Sequence, residues 1–318
     1  MKIAVVGPIP RDTIITHRNE TIYKYGCVSH PTIAVSKLVE ANGEVIPIAH
    51  VHQQDYSATL EVFAPYENIN TNFISQEHDQ GTIVELNFID QNNRIEKQKS
   101  NMHPIEPADI QHVEADVFVC VPITNYEVPK HTLKAIKEKG SLVIFDAHGP
   151  TSYVDQQGNR LRCHWEDMDQ WLPYIDVLKM NLEESLYCHF DASEPIDYNS
   201  EDRSHLDDFA ANVLNAGVRY LYVTLDSDGC NLYFKRDDGS IQTNFIPSYE
   251  VQDVIDTTGC GDSFAGGLAY GFASTSDAVS AGHYANILGA MRTQGKTFDV
   301  FKSKAETNAM IQSYYQSL

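Results

Sequence analysis

Short apolar runs recur along this chain with helical stretches between most of them, and few folds accommodate that rhythm. The runs are "KIAVVG" (2–7), "EVIPIAHV" (44–51), "DVFVCVP" (116–122), "SLVIFDA" (141–147), "DVLKM" (176–180) and "RYLYVTL" (219–225). Between them, "TIAVSKLVEANG" (32–43) places apolar residues at 34, 35, 38 and 39 before a closing Gly43. The stretches "VPKHTLKAIKEKG" (128–140) and "SHLDDFAANVLNAG" (204–217) have similar helical spacing. Strands that are apolar on both faces need cover on both faces, and intervening helices supply it. The expected fold is therefore α/β: a mostly parallel central sheet with helices on both sides, as a single domain over 1–318.

Two stretches break the rhythm. Residues 11–26 and 81–99 have β-rich arms and polar turns, the second at "DQNN" (90–93), and no helix of their own. Strands like these need a partner surface. The economical expectation is a small β-sheet lid over the main domain. The stretch "HGPTSYVDQQGNRLRCHW" (148–165) reads only as a long connection.

Charge excludes some partners. The chain has 23 basic against 44 acidic residues, a formal net charge of −21. Such a field repels polyanions, which argues against nucleic acid and anionic membrane surfaces. A phosphorylated ligand would need local donors strong enough to overcome it. The six cysteines are scattered without a C-x-x-C pair. Cys163-His164 and Cys188-His189 lack zinc-site spacing, and dispersed thiols suit a reducing compartment. The apolar run at the start is too short for a signal peptide, and no run approaches a membrane span, so a cytoplasmic location is expected.

The stretch "DTTGCGDSFAGG" (256–267) leads into apolar residues at 264, 265, 268, 269 and 272, a helical stripe. The helix is expected to begin near Asp262. Bare glycine amides at a helix N-terminus suit an anion, and Asp262 beside it could accept a proton. The competing reading is a loop that merely closes a core helix. A dinucleotide fingerprint fails because Phe264 stands where its third glycine would be. "GAMRTQGKT" (289–297) has the wrong glycine spacing for a phosphate loop and reads as a helix end.

Loop, sheet and lid together resemble the ribokinase-like, or phosphofructokinase B type, family of carbohydrate kinases. The family signature D-T-T-G-A-G-D-x-F-x-G-G matches at every fixed position except Cys260. The resemblance implies an anion hole at Gly259, Cys260 and Gly261, with Asp262 as catalytic base. "VVGPIPRD" (5–12) is similar to the family's opening strand, which implies that Asp12 binds substrate hydroxyls. "KMNLEES" (179–185) matches N-x-x-E, which puts Asn181 and Glu184 near magnesium and phosphates, largely through water; Asn181 also reads as a helix N-cap. "YVTLDSDGCNLY" (222–233) resembles the nucleotide-side strand and hairpin, bringing in Thr224 and Gly229, with Asp226 where glycine is usual. The helix near 280–290 suggests Asn286 for the adenine pocket. Asp256 is implied as a potassium ligand.

One motif departs from the pattern. The family has Gly-Gly followed by an Asn before a helix, whereas this chain has "YGCVSHPTIAVSKL" (25–38). Gly26 fits; Cys27 replaces the second glycine and His30-Pro31 the Asn. The implied activity is ATP-dependent, magnesium-assisted phosphorylation of a sugar or sugar-like hydroxyl by a homodimer. The alternatives are a nucleoside kinase of the same fold and a catalytically silent nucleotide-binding regulator.

Overall fold

In the computed structural model, the apolar runs lie side by side in one nine-stranded sheet. The structure describes residues 1–16, 20–39, 43–76, 81–89, 94–193 and 196–316. The strand order is Ile241–Pro247, Gly229–Lys235, Tyr220–Thr224, Val177–Asn181, Leu142–Asp146, Val117–Cys120, Lys2–Val6, Glu44–His50 and Ile74–Ser75. Pairing is parallel from Ile74–Ser75 through to Tyr220–Thr224 and antiparallel across the last two strands.

Successive side chains of a strand point to opposite faces, and here both faces are core. Ile3, Val5, Val117 and Val119 pack with Phe264, Leu268 and Ile287. Ala4, Val6, Phe118 and Cys120 pack on the other side with Leu133, Ile136, Phe209 and Val213. The first layer holds the helices Ser29–Ser36, Cys260–Thr275 and Ala278–Arg292; the second holds Lys130–Glu138 and Leu206–Asn215. The helix expected over 32–43 begins earlier, at Ser29, because Pro31 sits in its first turn, where a missing N–H costs nothing.

The stretches 11–26 and 81–99 supply a separate four-stranded sheet, ordered Thr21–Tyr25, Arg11–Ile15, Ile83–Phe88, Arg94–Ser100. The "DQNN" turn lies outside the described residues. Cross-strand partners share a face, so Lys24, Asp12, Val84 and Gln98 form one row, with Ile22, Ile14, Leu86 and Glu96 behind it. Tyr23, Thr13, Ile15 and Ile95 occupy the opposite face, where Tyr23 and Ile95 are exposed. The stretch 148–165, unread from sequence, forms a two-stranded ribbon, Ser152–Val154 with Arg160–Arg162.

Candidate active site

Parallel strands end at one edge of a sheet, and the loops that follow gather there. Asp146 closes Leu142–Asp146, and Asn181 closes Val177–Asn181. At this edge Lys179 Nζ lies 2.7 Å from Asp146 Oδ2, both side chains buried. Burial works against the ammonium, but Asp146, Glu184 and Asp262 outweigh it and hold the amine above its ordinary pKa. The Lys179 charge sits beneath the glycine loop: a Cβ on Gly261 would come within 3.1 Å of Nζ. Sequence reasoning missed Lys179 and Asp146; their signal was two charged residues within otherwise apolar strands.

Gly259 caps the helix Cys260–Thr275 in the left-handed conformation, φ 80°. A Cβ there would fall 2.3 Å from His30 Cδ2, so only glycine fits. Cys260 N–H turns back onto Thr257 O at 3.2 Å. The first amides of a helix lack partners within it; those of Gly259, Cys260, Gly261 and Asp262 lie in this turn, with Cys260 N–H committed to Thr257 O. Among the described residues, Asp262, in the first turn, has one weak side-chain contact, Cys27 Sγ at 3.8 Å from Oδ1. Burial and the nearby Asp146 charge push its carboxyl up to about 6, against the pull of Lys179 and His148.

Asp12 and Gly26 lie together: a Cβ on Gly26 would be 2.9 Å from Asp12 Oδ2 and 3.6 Å from His30 Nε2. Burial pushes the Asp12 carboxyl up to about 7, opposed by Arg160 and Lys24 and assisted by Glu96 and Asp262. The His30 tautomer follows from its neighbour. Arg292 Nε–H donates to His30 Nδ1 at 3.1 Å, and an arginine can only donate. Burial and the Arg292 charge push the ring down to about 3, so it is neutral with its proton on Nε2. Among the described residues neither the Asp12 carboxylate nor His30 Nε2 has a hydrogen-bond partner. An acceptor and a donor thus both lie beside Gly26. Cys27, next to it, has a left-handed backbone (φ 45°), as does Asp226 (φ 49°); for a non-glycine residue this costs roughly 1–2 kcal/mol.

Asn181 and Glu184 close a reciprocal capping box: Asn181 Oδ1 accepts from Glu184 N–H at 2.7 Å, and Glu184 Oε2 from Asn181 N–H at 2.9 Å. Glu184 Oε1 takes His148 Nδ1 at 2.8 Å and Arg162 Nη1 at 3.2 Å. Burial works against this carboxylate, yet His148, Lys179 and Arg162 hold it well below the usual range. His148 and Arg162 both come from the 148–165 stretch, which therefore packs against Glu184.

The expected nucleotide-side residues have structural duties. Thr224 Oγ1 reaches Met180 O at 3.4 Å. Gly229 is needed because a Cβ there would lie 2.1 Å from Ile246 O. Asn286, buried, donates its amide to Ile246 O and Pro247 O at 3.2 and 2.9 Å, which ties its helix to the edge hairpin. Asp256 pairs with Arg292 and Lys24 at 3.1 and 3.5 Å. Among the described residues no cluster of His, Cys, Asp or Glu is arranged to hold a metal ion, and no helix is long and apolar enough to cross a membrane.

A doubly covered parallel sheet with a glycine loop and an acidic first turn at its carboxyl edge defines a class of phosphate-handling α/β proteins. Residues 50–298 match the family described as pfkB family carbohydrate kinase, and the chain belongs to it. It is 24% identical over 168 residues to "Probable fructokinase-4" and 31% identical over 168 residues to "Probable fructokinase-2", both from Arabidopsis thaliana. Each match covers 53% of this chain and 44% of the relative, so the chain spans less than half of either. Among solved structures, a pyrophosphate-dependent kinase in the ribokinase family superposes with TM-score 0.73 at 17% identity, over 98% of this chain and 100% of that one. Arabidopsis thaliana ribokinase complexed with ribose and ATP gives 0.73 at 14% over 98% of each chain. Burkholderia thailandensis nucleoside kinase in complex with inosine gives 0.71 at 16% over 99% of each. The fold is that of ribokinase.

Proposed function

We propose that this protein transfers the γ-phosphoryl group of ATP to a hydroxyl of a sugar or sugar-like polyol. One observation carries the reading. Asp262, a carboxylate of pKa about 6 without a strong partner, stands in the first turn of a helix whose free amides suit a phosphoryl group. At neutral pH Asp262 is ionised and takes the hydroxyl proton. The amides of Gly259, Gly261 and Asp262, with the Lys179 ammonium beneath them, hold the negative charge that spreads over the phosphoryl oxygens. Asp12 accepts from one substrate hydroxyl and His30 Nε2–H donates to another, a pairing suited to a diol.

The site fits a polyphosphate donor, since free amides and a fixed ammonium face the same loop. The ATP bound to the similar Arabidopsis ribokinase supports the choice of donor. Magnesium, when bound, neutralises donor phosphates; Glu184, committed to His148 and Arg162, would reach it only through water. The four-stranded sheet acts as a lid, with Asp12 and Lys24 on its inner face. Its outer face, with Tyr23 and Ile95 exposed, would bury against a second copy in a homodimer.

An ADP-release screen over sugars, polyols and nucleosides, run with ATP and magnesium, tests the reading. At least one polyol or sugar should release ADP, and Asp262→Asn should abolish it while ATP still raises the melting temperature. A nucleoside as the sole acceptor would move the substrate class, as the similar nucleoside kinase suggests. ATP binding with no acceptor turned over would support a silent regulator instead.

A further inference from the structure

The potassium site implied at Asp256 does not fit the carboxylate that stands there. Asp256 Oδ1 accepts Thr258 N–H at 2.9 Å, while Oδ2 takes Arg292 Nη2 at 3.1 Å and Lys24 Nζ at 3.5 Å. Burial works against its charge, but the Thr258 amide and the two cations more than offset this and hold the carboxyl below its ordinary pKa. A potassium ion needs several oxygen lone pairs. Here it would meet N–H donors and two like charges within a few ångströms.

The guanidinium is built in. Arg292 is buried, at 2% exposure, and ends the helix Ala278–Arg292. Its Nη2 edge holds Asp256, its Nε donates to His30 Nδ1 at 3.1 Å, and its Nη1 donates to Gly295 O at 2.5 Å. The same helix end grips the loop through its backbone, with Ile255 N and Asp256 N both donating to Thr293 O, at 2.8 and 3.3 Å. One planar cation therefore joins three segments: the start of the glycine loop, His30 beside Gly26 and the turn after the helix. Arginine suits such a role, being always charged with its donors in a fixed fork.

We infer that Arg292 is a resident cation that takes the place of a diffusible monovalent ion, so this protein works without potassium. Arg292 acts as a positioning residue: its donors go to Asp256, His30 and Gly295 O, and it sets the loop through Asp256 and the imidazole tautomer through His30. The activity arm of the test rests on the proposed kinase reading; the melting arm does not.

The purified full chain is compared in potassium, sodium and choline chloride at equal ionic strength, by melting temperature and by ATP-dependent ADP release. A bound ion would raise the melting point by mass action. The expected result is no potassium-specific rise, and rates in potassium and choline that agree within about twofold. Arg292→Ala, which empties the guanidinium space, should lose turnover and then gain a potassium- or guanidinium-specific rise in melting temperature and rescue of rate. A merely structural arginine would give no such rescue. A wild-type protein stabilised specifically by potassium, or activated more than about fivefold, overturns the inference, as does a folded Arg292→Ala that ignores both cations. If Arg292→Ala fails to fold, the wild-type comparison still decides, and Arg292→Gln repeats the rescue. Absence of ADP in every salt would count against the kinase reading alone, since melting still scores the ion.

Discussion

At the scale of single residues, the proposed base is held at a cost to stability. The folded pKa of Asp262, about 6, lies above its ordinary 3.8, so the folded chain binds that proton more tightly than the unfolded one. The stabilisation this gives is whole below about pH 4 and is lost as pH rises through about 6. Asp262→Asn carries no charge at any pH. At about pH 8 it should be more stable than wild type by roughly 1–3 kcal/mol, a gap that closes below about pH 4 in denaturant titrations. Turnover should fall by about 10²–10⁴-fold. A variant that loses both turnover and stability would point to a structural carboxylate. Asp12, pushed up to about 7, adds a second limb. The wild-type kcat/KM should fall with acidity through about 7 and again through about 6. Asp12→Asn should remove only the upper limb and weaken substrate use roughly ten- to a hundred-fold, leaving the ATP-induced melting shift intact.

At the scale of elements, the signature "DTTGCGDSFAGG" serves two purposes. Its first half shapes the loop. Its last glycine, and Gly271 one turn further on, let helices touch backbone to backbone: a Cβ on Gly267 would come 2.5 Å from Ala285 Cα, and one on Gly271 2.4 Å from Ala281 Cα. Gly267→Ala should cost about 2 kcal/mol or more, because overpacking exceeds the roughly 1 kcal/mol that alanine returns in helix propensity. Gly289, on the neighbouring helix, is the control. Its added Cβ would meet Cys260 O at 3.4 Å, an ordinary contact, so Gly289→Ala should stabilise by about 0.5–1 kcal/mol. Similar losses at both positions in chemical denaturation would refute the close-packing account. These elements were legible in sequence because apolar runs and glycine spacing are local signals. The 152–162 ribbon was not, since its strands of three residues carry no period. Nor could local pattern pair His30 with Arg292, 262 residues apart, or show that the Cys260 amide is already taken by Thr257.

At the scale of the whole molecule, a chain of net charge −21 gathers Lys24, Arg160, Arg162, Lys179 and Arg292 around one edge of its sheet. Each is matched to a carboxylate: Asp256, Glu96, Glu184, Asp146 and Asp256 again. The pairs place positive charge near the proposed phosphate site without leaving it to draw in stray anions. Two of them, with a backbone hydrogen bond, also fasten the small sheet to the main body. Lys24 reaches Asp256, Arg160 Nη2 reaches Glu96 at 2.8 Å, and Gln98 N–H donates to Gly158 O at 2.8 Å. If the small sheet is a lid, these contacts hold it shut, and its opening must break them. The Arg160–Glu96 pair is partly exposed, so it contributes only about 0–1 kcal/mol to stability. Its effect on closure should be larger than its effect on melting. Arg160→Ala should leave the melting temperature within about 2 °C of wild type, yet admit water to the phosphoryl group. ADP release without any acceptor should then rise several-fold, together with KM for the acceptor. Release that stays at the wild-type level in Arg160→Ala, with KM unchanged, would mean that the ribbon does not latch the sheet and that closure is governed by its other contacts, Lys24 with Asp256 and Arg11 and Tyr25 with Asp55.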